Sequence, residues 1–472
     1  MNEERLFELC EGYRSDMIRD LSSLVAIPSV SENIPETKRA LSFMLDTAKG
    51  MGFNTESYCD NSVGMIEYGE GDETVGILAH VDVVPAFEQP GWKTDPFELV
   101  LRDGVMYGRG VLDDKGPAVT ALYAMKALKD AGISMNKRIR LILGTQEEVE
   151  WTDFLRFRTE YAERLDEFMP DYGFTPDSGF PICNVGKGCI DLDLIFEFGE
   201  NGGADPEKDG WRIASVNAGL MMNSVPEKAE ARLIYSEKGV CISEKLFDAE
   251  GKSVHSSRPE QGINAIFGLV EKLKAFSEAE GDKALSLKAS GLYRQLISLN
   301  EFFSEPFGSS LGLASESEYY NGEFVHKNCF SPTMIRQKDG KTVIHINLRP
   351  AYGYDADKIV KRFEEIAEAA GGRIEVGEYL PAIYVDSERP WIKELAKAYE
   401  EVSGLKNEFV LDYGASYAQA MPNTVVWGPV FPGHPDTYHL PNEEYSLGDM
   451  MLSLKITALA LARIAENAEP LK

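Results

Sequence analysis

The stretch that decides the fold is "TVGILAH" (residues 74–80), taken with the two that follow it, "KGPAVTALYAMKALKDAG" (115–132) and "RIRLILGT" (138–145). The first and last are short β-branched and aliphatic runs, which predict buried strands. Between them Ala118, Leu122, Met125 and Leu128 fall on one helical face, with Pro117 early and Gly132 at the end. Strand, helix, strand in that order predicts a parallel sheet of the doubly wound kind. Open parallel sheets carry their sites just beyond the carboxyl ends of their strands. The residues at and after His80 and Thr145 are therefore the first candidates for chemistry.

Working outward, Leu6, Leu9, Met17, Leu21 and Leu24 predict an opening helix within residues 3–25, ending near Ile27 and Pro28. From about residue 187 to about 384 the pattern changes. Strand-like runs such as "IDLDLIFEF" (190–198) and "TVIHINLRP" (342–350) alternate with helical ones such as "INAIFGLVEKLKAF" (263–276). A helical segment (388–404), the strand "TVVWGPV" (424–430) and a closing amphipathic helix (446–466) follow. The expected fold is α/β: a doubly wound, mainly parallel sheet domain from residues 1–186 and 385–472, with an α/β domain inserted at 187–384.

A chain of 472 residues exceeds one ordinary core, in keeping with that division. The formal net charge of -29 argues against nucleic acid or an anionic membrane as partner, because both are themselves negative. No run approaches 18 apolar residues, and the N-terminus lacks the basic start and apolar core of a signal peptide, so a soluble cytoplasmic protein is expected. Cys10, Cys59, Cys183, Cys189, Cys241 and Cys329 are scattered without a CxxC pair and read as reduced and structural.

The polar clusters at the strand ends each have a plain structural explanation when taken singly. His80 and Asp82 in "ILAHVDVVP" (77–85) could form a hydrogen-bonded core pair. Asp113 and Asp114 in "YGRGVLDDKGP" (107–117) could cap the helix they precede. Glu147 and Glu148 in "GTQEEVEW" (144–151) could be surface charge. Their common placement changes the reading, since neighbouring parallel strands would bring four carboxylates and an imidazole together. That set needs a cation, and mixed nitrogen and oxygen ligands suit zinc, with manganese or cobalt as substitutes. Asp177 in "TPDSGFP" (175–181) and either His434 or His439 in "GHPDTYHLPNEE" (433–444) could complete the set; spacing alone does not choose between the histidines.

In order along the chain, "HVDVVP", "YGRGVLDDKGP", "GTQEE", "PDSGFP", "GKSVHSSRPEQGINA" (251–265) and "PDTYHLPNE" (435–443) resemble the successive motifs of a dinuclear zinc peptidase family. That family includes dipeptidase V, carnosinase-type dipeptidases, carboxypeptidase G, aminoacylase and succinyl-diaminopimelate desuccinylase, and the dipeptidase V branch is the nearest resemblance. The resemblance implies two zinc ions per chain bridged by Asp113, with His80 and Asp177 completing one site, and Glu148 and His439 the other. It favours His439 over His434 through the "PDT.H" pattern. It makes Glu147 the general base acting on a water between the metals, makes Asp82 the residue orienting His80, and implies a cis peptide between Asp113 and Asp114. The inserted segment becomes a lid domain. There His255 would stabilise an oxyanion, Asn223 would contact substrate and Arg349 would grip its terminal carboxylate, while Gly414 and Ser416 in "YGASYA" belong to a carboxylate-binding loop.

The expected activity is hydrolysis of the amide bond in dipeptides with a free amino end. A deacylase or desuccinylase of N-acylated amino acids is the alternative enzyme, and a non-catalytic binding protein on the same fold the alternative class. The enlarged lid predicts a monomer, with a homodimer as the other arrangement. Several departures from the family pattern bear on specificity. Phe87, Glu88 and Gln89 stand where a short Gly-Asp-Gly link is usual, Ala415 replaces a glycine, Gln146 replaces an acid, and the segment after Trp151 is longer and more charged.

Overall fold

A computed structural model describes all residues except 1, 88, 150, 198–208, 305–318, 321–322, 325–327, 354 and 413–415. The chain divides into two compact units, Met1–Val185 with Ile383–Lys472, and Gly186–Ala382.

The first unit is built on the predicted strands. Thr74–His80 is buried at every position, as expected of a central strand covered on both faces. It pairs in parallel with Arg138–Gly144 on one side and with Tyr172–Thr175 on the other, with His80 level with Gly144. Thr424–Val426 adds a fourth parallel strand beside Tyr172–Thr175. Antiparallel strands flank this centre, including Val63–Tyr68 against Arg138–Gly144 and Asn54–Tyr58 beyond it. The crossover helix Lys115–Ala131 buries most of its length and ends at Gly132, whose φ of +67° is the left-handed stop that glycine takes without a Cβ penalty. It packs against the closing helix Leu447–Glu466, which in turn meets Pro390–Ser403. The opening segment forms two helices, Glu3–Gly12 and Arg14–Val25, rather than one. The interruption falls after Gly12, a poor helix former, where Tyr13 turns to donate its hydroxyl to Asp130 at 2.7 Å.

The second unit is a seven-stranded sheet in the order 240–250, 228–237, 210–218, 329–338, 341–349, 189–197, 373–380, antiparallel throughout. One face is apolar. Ile190, Leu192, Leu194 and Phe196 with Ile344, Ile346 and Leu348 form a core with helices Ala265–Ala279, Gly291–Ser304 and Ala356–Ala369. The alternate residues of the same two strands form a polar row. His345 Nδ1 lies 2.7 Å from Asp193 and Nε2 3.3 Å from Asp191, and Asn347 donates to Asp191 at 2.6 Å.

Against the opposing effect of burial, hydrogen bonds to Asp191 and Asp193 raise the His345 pKa to about 9. A histidine whose folded pKa is raised contributes stability that is complete below its unfolded pKa of about 6.5 and is lost as pH rises through about 9. His345→Gln is therefore expected to destabilise the protein most below about pH 6.5 and progressively less toward pH 9 and above. Urea unfolding at a series of pH values checks this, and a pH-independent difference would refute it.

Candidate active site

Three adjacent parallel strands deliver the site. Thr74–His80 ends in His80, Arg138–Gly144 runs on to Glu147 and Glu148, and Tyr172–Thr175 runs on to Asp177. Asp113 and Asp114 come from the start of the crossover helix, and the peptide between them is cis. His439 comes from the loop after Thr424–Val426 and holds a positive φ of +60°, an uncommon conformation for a side chain of this size.

Asp113 lies between the two histidines. Its Oδ1 is 3.1 Å from His80 Nε2, and its Oδ2 is 3.0 Å from His439 Nε2. Each histidine then has an acid of its own, with Asp177 3.7 Å from His80 and Glu148 2.8 Å from His439. The possible ligand atoms of His80, Asp113 and Glu148 all lie within 4.8 Å of one another, as do those of His80, Asp114 and Asp177. Asp114 is the acid that sequence reasoning left out of the ligand set. Its Oδ2 accepts from the His80 amide at 3.1 Å while its buried Oδ1 has no hydrogen-bond partner among the described residues. His434 is drawn away to an exposed pair with Asp449 at 2.6 Å.

The electrostatics are those of a cation site. Burial and the neighbouring Asp113 raise Glu148 to about 8, and burial raises Asp177 to about 6. Glu147 is also pushed well above the usual carboxylate range by burial and by Asp177. Against burial, hydrogen bonds to Asp113 and Glu148 raise His439 to about 11. Divalent cations would compete with protons for these groups. Glu148 Oε1 is buried with no hydrogen-bond partner among the described residues, an open donor position of the kind a metal ligand requires. The clustered imidazole and carboxylate groups fit a divalent metal ion.

Asp82 is fully buried and does more than face His80. His80 Nδ1 is 3.1 Å from the Asp82 carbonyl and 3.4 Å from its carboxylate. The carboxylate also accepts from the Ser31 hydroxyl at 2.7 Å and from the amides of Glu147 and Glu148, each at 3.2 Å. Glu443, which sequence reasoning missed, does the same for the Asp113 loop. Its carboxylate accepts from the amides of Gly110, Leu112 and Asp113 at 2.8–3.1 Å and pairs with Arg109 at 2.7 Å, with both side chains buried. Arg109 also donates to Gln89 at 2.7 Å, and Gln89 donates to the His439 carbonyl at 3.1 Å.

Of the remaining expected residues, Ser416 is buried, with its hydroxyl accepting from the Ala418 amide at 3.4 Å. Gly414, Ala415 and Glu88 lie outside the described residues. His255, Asn223 and Arg349 belong to the second unit. The Asn223 carbonyl accepts from the Ser256 amide at 2.9 Å. The Ser257 amide donates to His255 Nδ1 at 3.2 Å, which leaves the ring proton on Nε2. The packing around the ring, together with the charges of Arg349, Arg258 and Lys187, lowers the His255 pKa to about 4. At neutral pH His255 is thus a neutral donor. Arg349 is buried and held through Nε by Asn347 at 2.9 Å, while its Nη1 has no hydrogen-bond partner among the described residues.

The sequence profile of peptidase family M20/M25/M40 matches residues 76–463. The chain belongs to that family. "Putative dipeptidase YtjP" of Bacillus subtilis (strain 168) is 31% identical over 96% of this chain and 98% of its own. "Putative dipeptidase SAR1836" of Staphylococcus aureus (strain MRSA252) is 31% identical over 92% of this chain and 94% of its own. Among solved structures, the dipeptidase Dug1p of Saccharomyces cerevisiae superposes with a TM-score of 0.62 at 16% identity, covering 99% of both chains. Human carnosine dipeptidase 1 does so at 0.61 and 15%, also over 99% of both chains. These two likenesses establish the fold. The protein is an M20 metallopeptidase. Among its described residues no helix is long and apolar enough to cross a membrane.

Glu443→Ala is expected to leave Arg109 as an unpaired buried charge and three loop amides without their acceptor. Loss of one partner of a buried pair costs about 3–5 kcal/mol, so denaturant unfolding is expected to show a stability loss of about that size. A loss within about 0.5 kcal/mol, the scale of ordinary surface substitutions, would refute the pairing.

Proposed function

We propose that this M20 metallopeptidase is a two-metal dipeptidase, using zinc and accepting manganese or cobalt, that hydrolyses small dipeptides with a free amino end. The observation that carries the reading is Asp113, with one carboxylate oxygen toward His80 and the other toward His439. In this assignment His80 and Asp177 would hold one cation, Glu148 and His439 the other, and Asp113 would serve both. Such cations would supply Lewis acidity to the scissile carbonyl and to the attacking water.

The chain's own residues do the rest. The Glu147 carboxylate takes a proton from the attacking water and returns it to the leaving nitrogen. No covalent bond to the enzyme forms. Asp82 keeps the His80 ring oriented and holds the backbone of the glutamate pair. The neutral His255, with its proton on Nε2, suits an oxyanion donor, and the Arg349 Nη1, without a hydrogen-bond partner among the described residues, suits the terminal carboxylate of a substrate. The names of the curated relatives support the dipeptidase reading. Residues 1–186 with 385–472 then form the catalytic domain and 187–384 the lid, and the enlarged insertion favours a monomer.

Purified protein is expected to hold two metal ions per chain by elemental analysis and Asp113→Ala fewer. Two ions retained by Asp113→Ala would refute the bridging role. Glu147→Gln is expected to lower kcat by at least about 100-fold with little change in KM, since a positioned general base contributes about that much or more. A panel of free-amine dipeptides, tripeptides, N-acetyl and N-succinyl amino acids then tests the substrate. Preference for the blocked substrates would replace the dipeptidase with a deacylase.

A further inference from the structure

The turn that carries Glu147 is held at four consecutive residues. The amides of Thr145 and Gln146 donate to one oxygen of Asp153, at 2.6 and 3.1 Å. The next two amides, of Glu147 and Glu148, donate to Asp82. Trp151 closes the turn from the other side, its amide donating to the Gln146 carbonyl at 3.2 Å and its indole to the Glu147 carbonyl at 2.7 Å. The same oxygen of Asp153 accepts the Tyr417 hydroxyl at 2.7 Å, and the other accepts the Phe154 amide at 2.7 Å. Both Asp153 and Tyr417 are at most 2% exposed. Tyr417 is wedged against Phe154 and Trp151, with ring centroids 4.4 and 5.3 Å away. Its hydroxyl occupies the space a Cβ would need at Gly144, so the strand end is glycine where the phenol approaches.

We infer that Asp153, locked by Tyr417, is a positioning residue for the reaction, setting Glu147 by fixing the backbone of the two residues that precede it. Asp153 is the second residue of the helix Thr152–Glu160, yet its carboxylate reaches back to the strand end. A carboxylate shared by two successive amides fixes both peptide planes, and with them the direction in which the next residue leaves the strand. Asp82 alone fixes the following two. The four contacts together leave Glu147 little freedom, and a displacement near 1 Å at a reacting group can cost about 100-fold in rate. Asp153 touches neither substrate nor metal in this account; it acts through the turn.

The proposal rests on Glu147 being the general base, and its test separates the two. Zinc-loaded full-length protein, Asp153→Asn, Tyr417→Phe and Glu147→Gln are compared for metal content, kcat, KM and the dependence of kcat on pH, using the free-amine dipeptide cleaved best by the unmodified protein. Asp153→Asn keeps the shape but gives up part of the acceptor capacity. It is expected to lower kcat about 10- to 100-fold, the range found for outer partners of metal-site residues. Its KM and metal content are expected to stay within about twofold, and the acid limb of its pH profile to move. Tyr417→Phe is expected to lower kcat less, with the same split, and carries the test if Asp153→Asn does not fold. Wild-type kcat in the Asp153 and Tyr417 variants beside an impaired Glu147→Gln would overturn the positioning role and leave the general base intact. So would kcat, KM and metal content changing together, the mark of a merely structural contact. Undiminished kcat in Glu147→Gln would overturn the general base itself.

Discussion

The first unit is organised around an excess of negative charge at the carboxyl ends of its parallel strands. Asp113, Asp114, Glu148 and Asp177 gather about His80 and His439 within ligand distance, and Glu147 and Asp82 stand beside them. In water such a group would spread apart. Here the fully buried strand Thr74–His80 and the helix start at Lys115 fix where three of the acids emerge. Burial, with the charge of Asp113 beside it, raises the pKa of both Glu148 and Asp177. A divalent cation would relieve the repulsion among these acids.

How the loops withstand this repulsion follows from what holds them. Asp82, Asp153 and Glu443 are all buried, and each accepts backbone amides: those of Glu147 and Glu148, of Thr145, Gln146 and Phe154, and of Gly110, Leu112 and Asp113. Amide dipoles satisfy a carboxylate without bringing in a mobile cation. A lysine or arginine placed among the ligand acids would compete with the metal for the same oxygens. Arg109, the arginine in this framework, is instead committed to Glu443 at 2.7 Å, so it does not neutralise the clustered acids.

The strand, helix, strand order around residues 74–145 was legible because burial on both faces leaves an uninterrupted apolar run, and helical burial leaves its own period. His80, Asp113, Glu148, Asp177 and His439 could be gathered because strand ends are where such sheets place polar groups, and because their motifs occur in a recognisable order. Glu443 and Asp153 were not legible. In the sequence one is half of an ordinary Glu-Glu pair after a proline and the other an aspartate at a helix start, both common on surfaces. Their roles depend on contacts across the fold, such as Glu443 with the Asp113 amide 330 residues away, and no local pattern encodes these. The polar row Asp193, His345, Asp191, Asn347 was hidden differently. The strand alternation that predicts one apolar face says only that the other face is not apolar.

The segment "FEQPGW" shows how far a departure in sequence can reach. Phe87 is exposed and leans on Phe97 with ring centroids 5.1 Å apart, and the Arg109 guanidinium lies over the Trp92 ring at 5.3 Å. Gln89 joins Arg109 to the His439 carbonyl, and Arg109 joins Glu443, which holds the Asp113 amide. A Gly-Asp-Gly link has no side chain that can both accept from Arg109 and donate to a carbonyl, as Gln89 does. Gln89 therefore ties the segment to the loops of both Asp113 and the exposed His439, so that one amide side chain braces the backbone on either side of the acidic cluster.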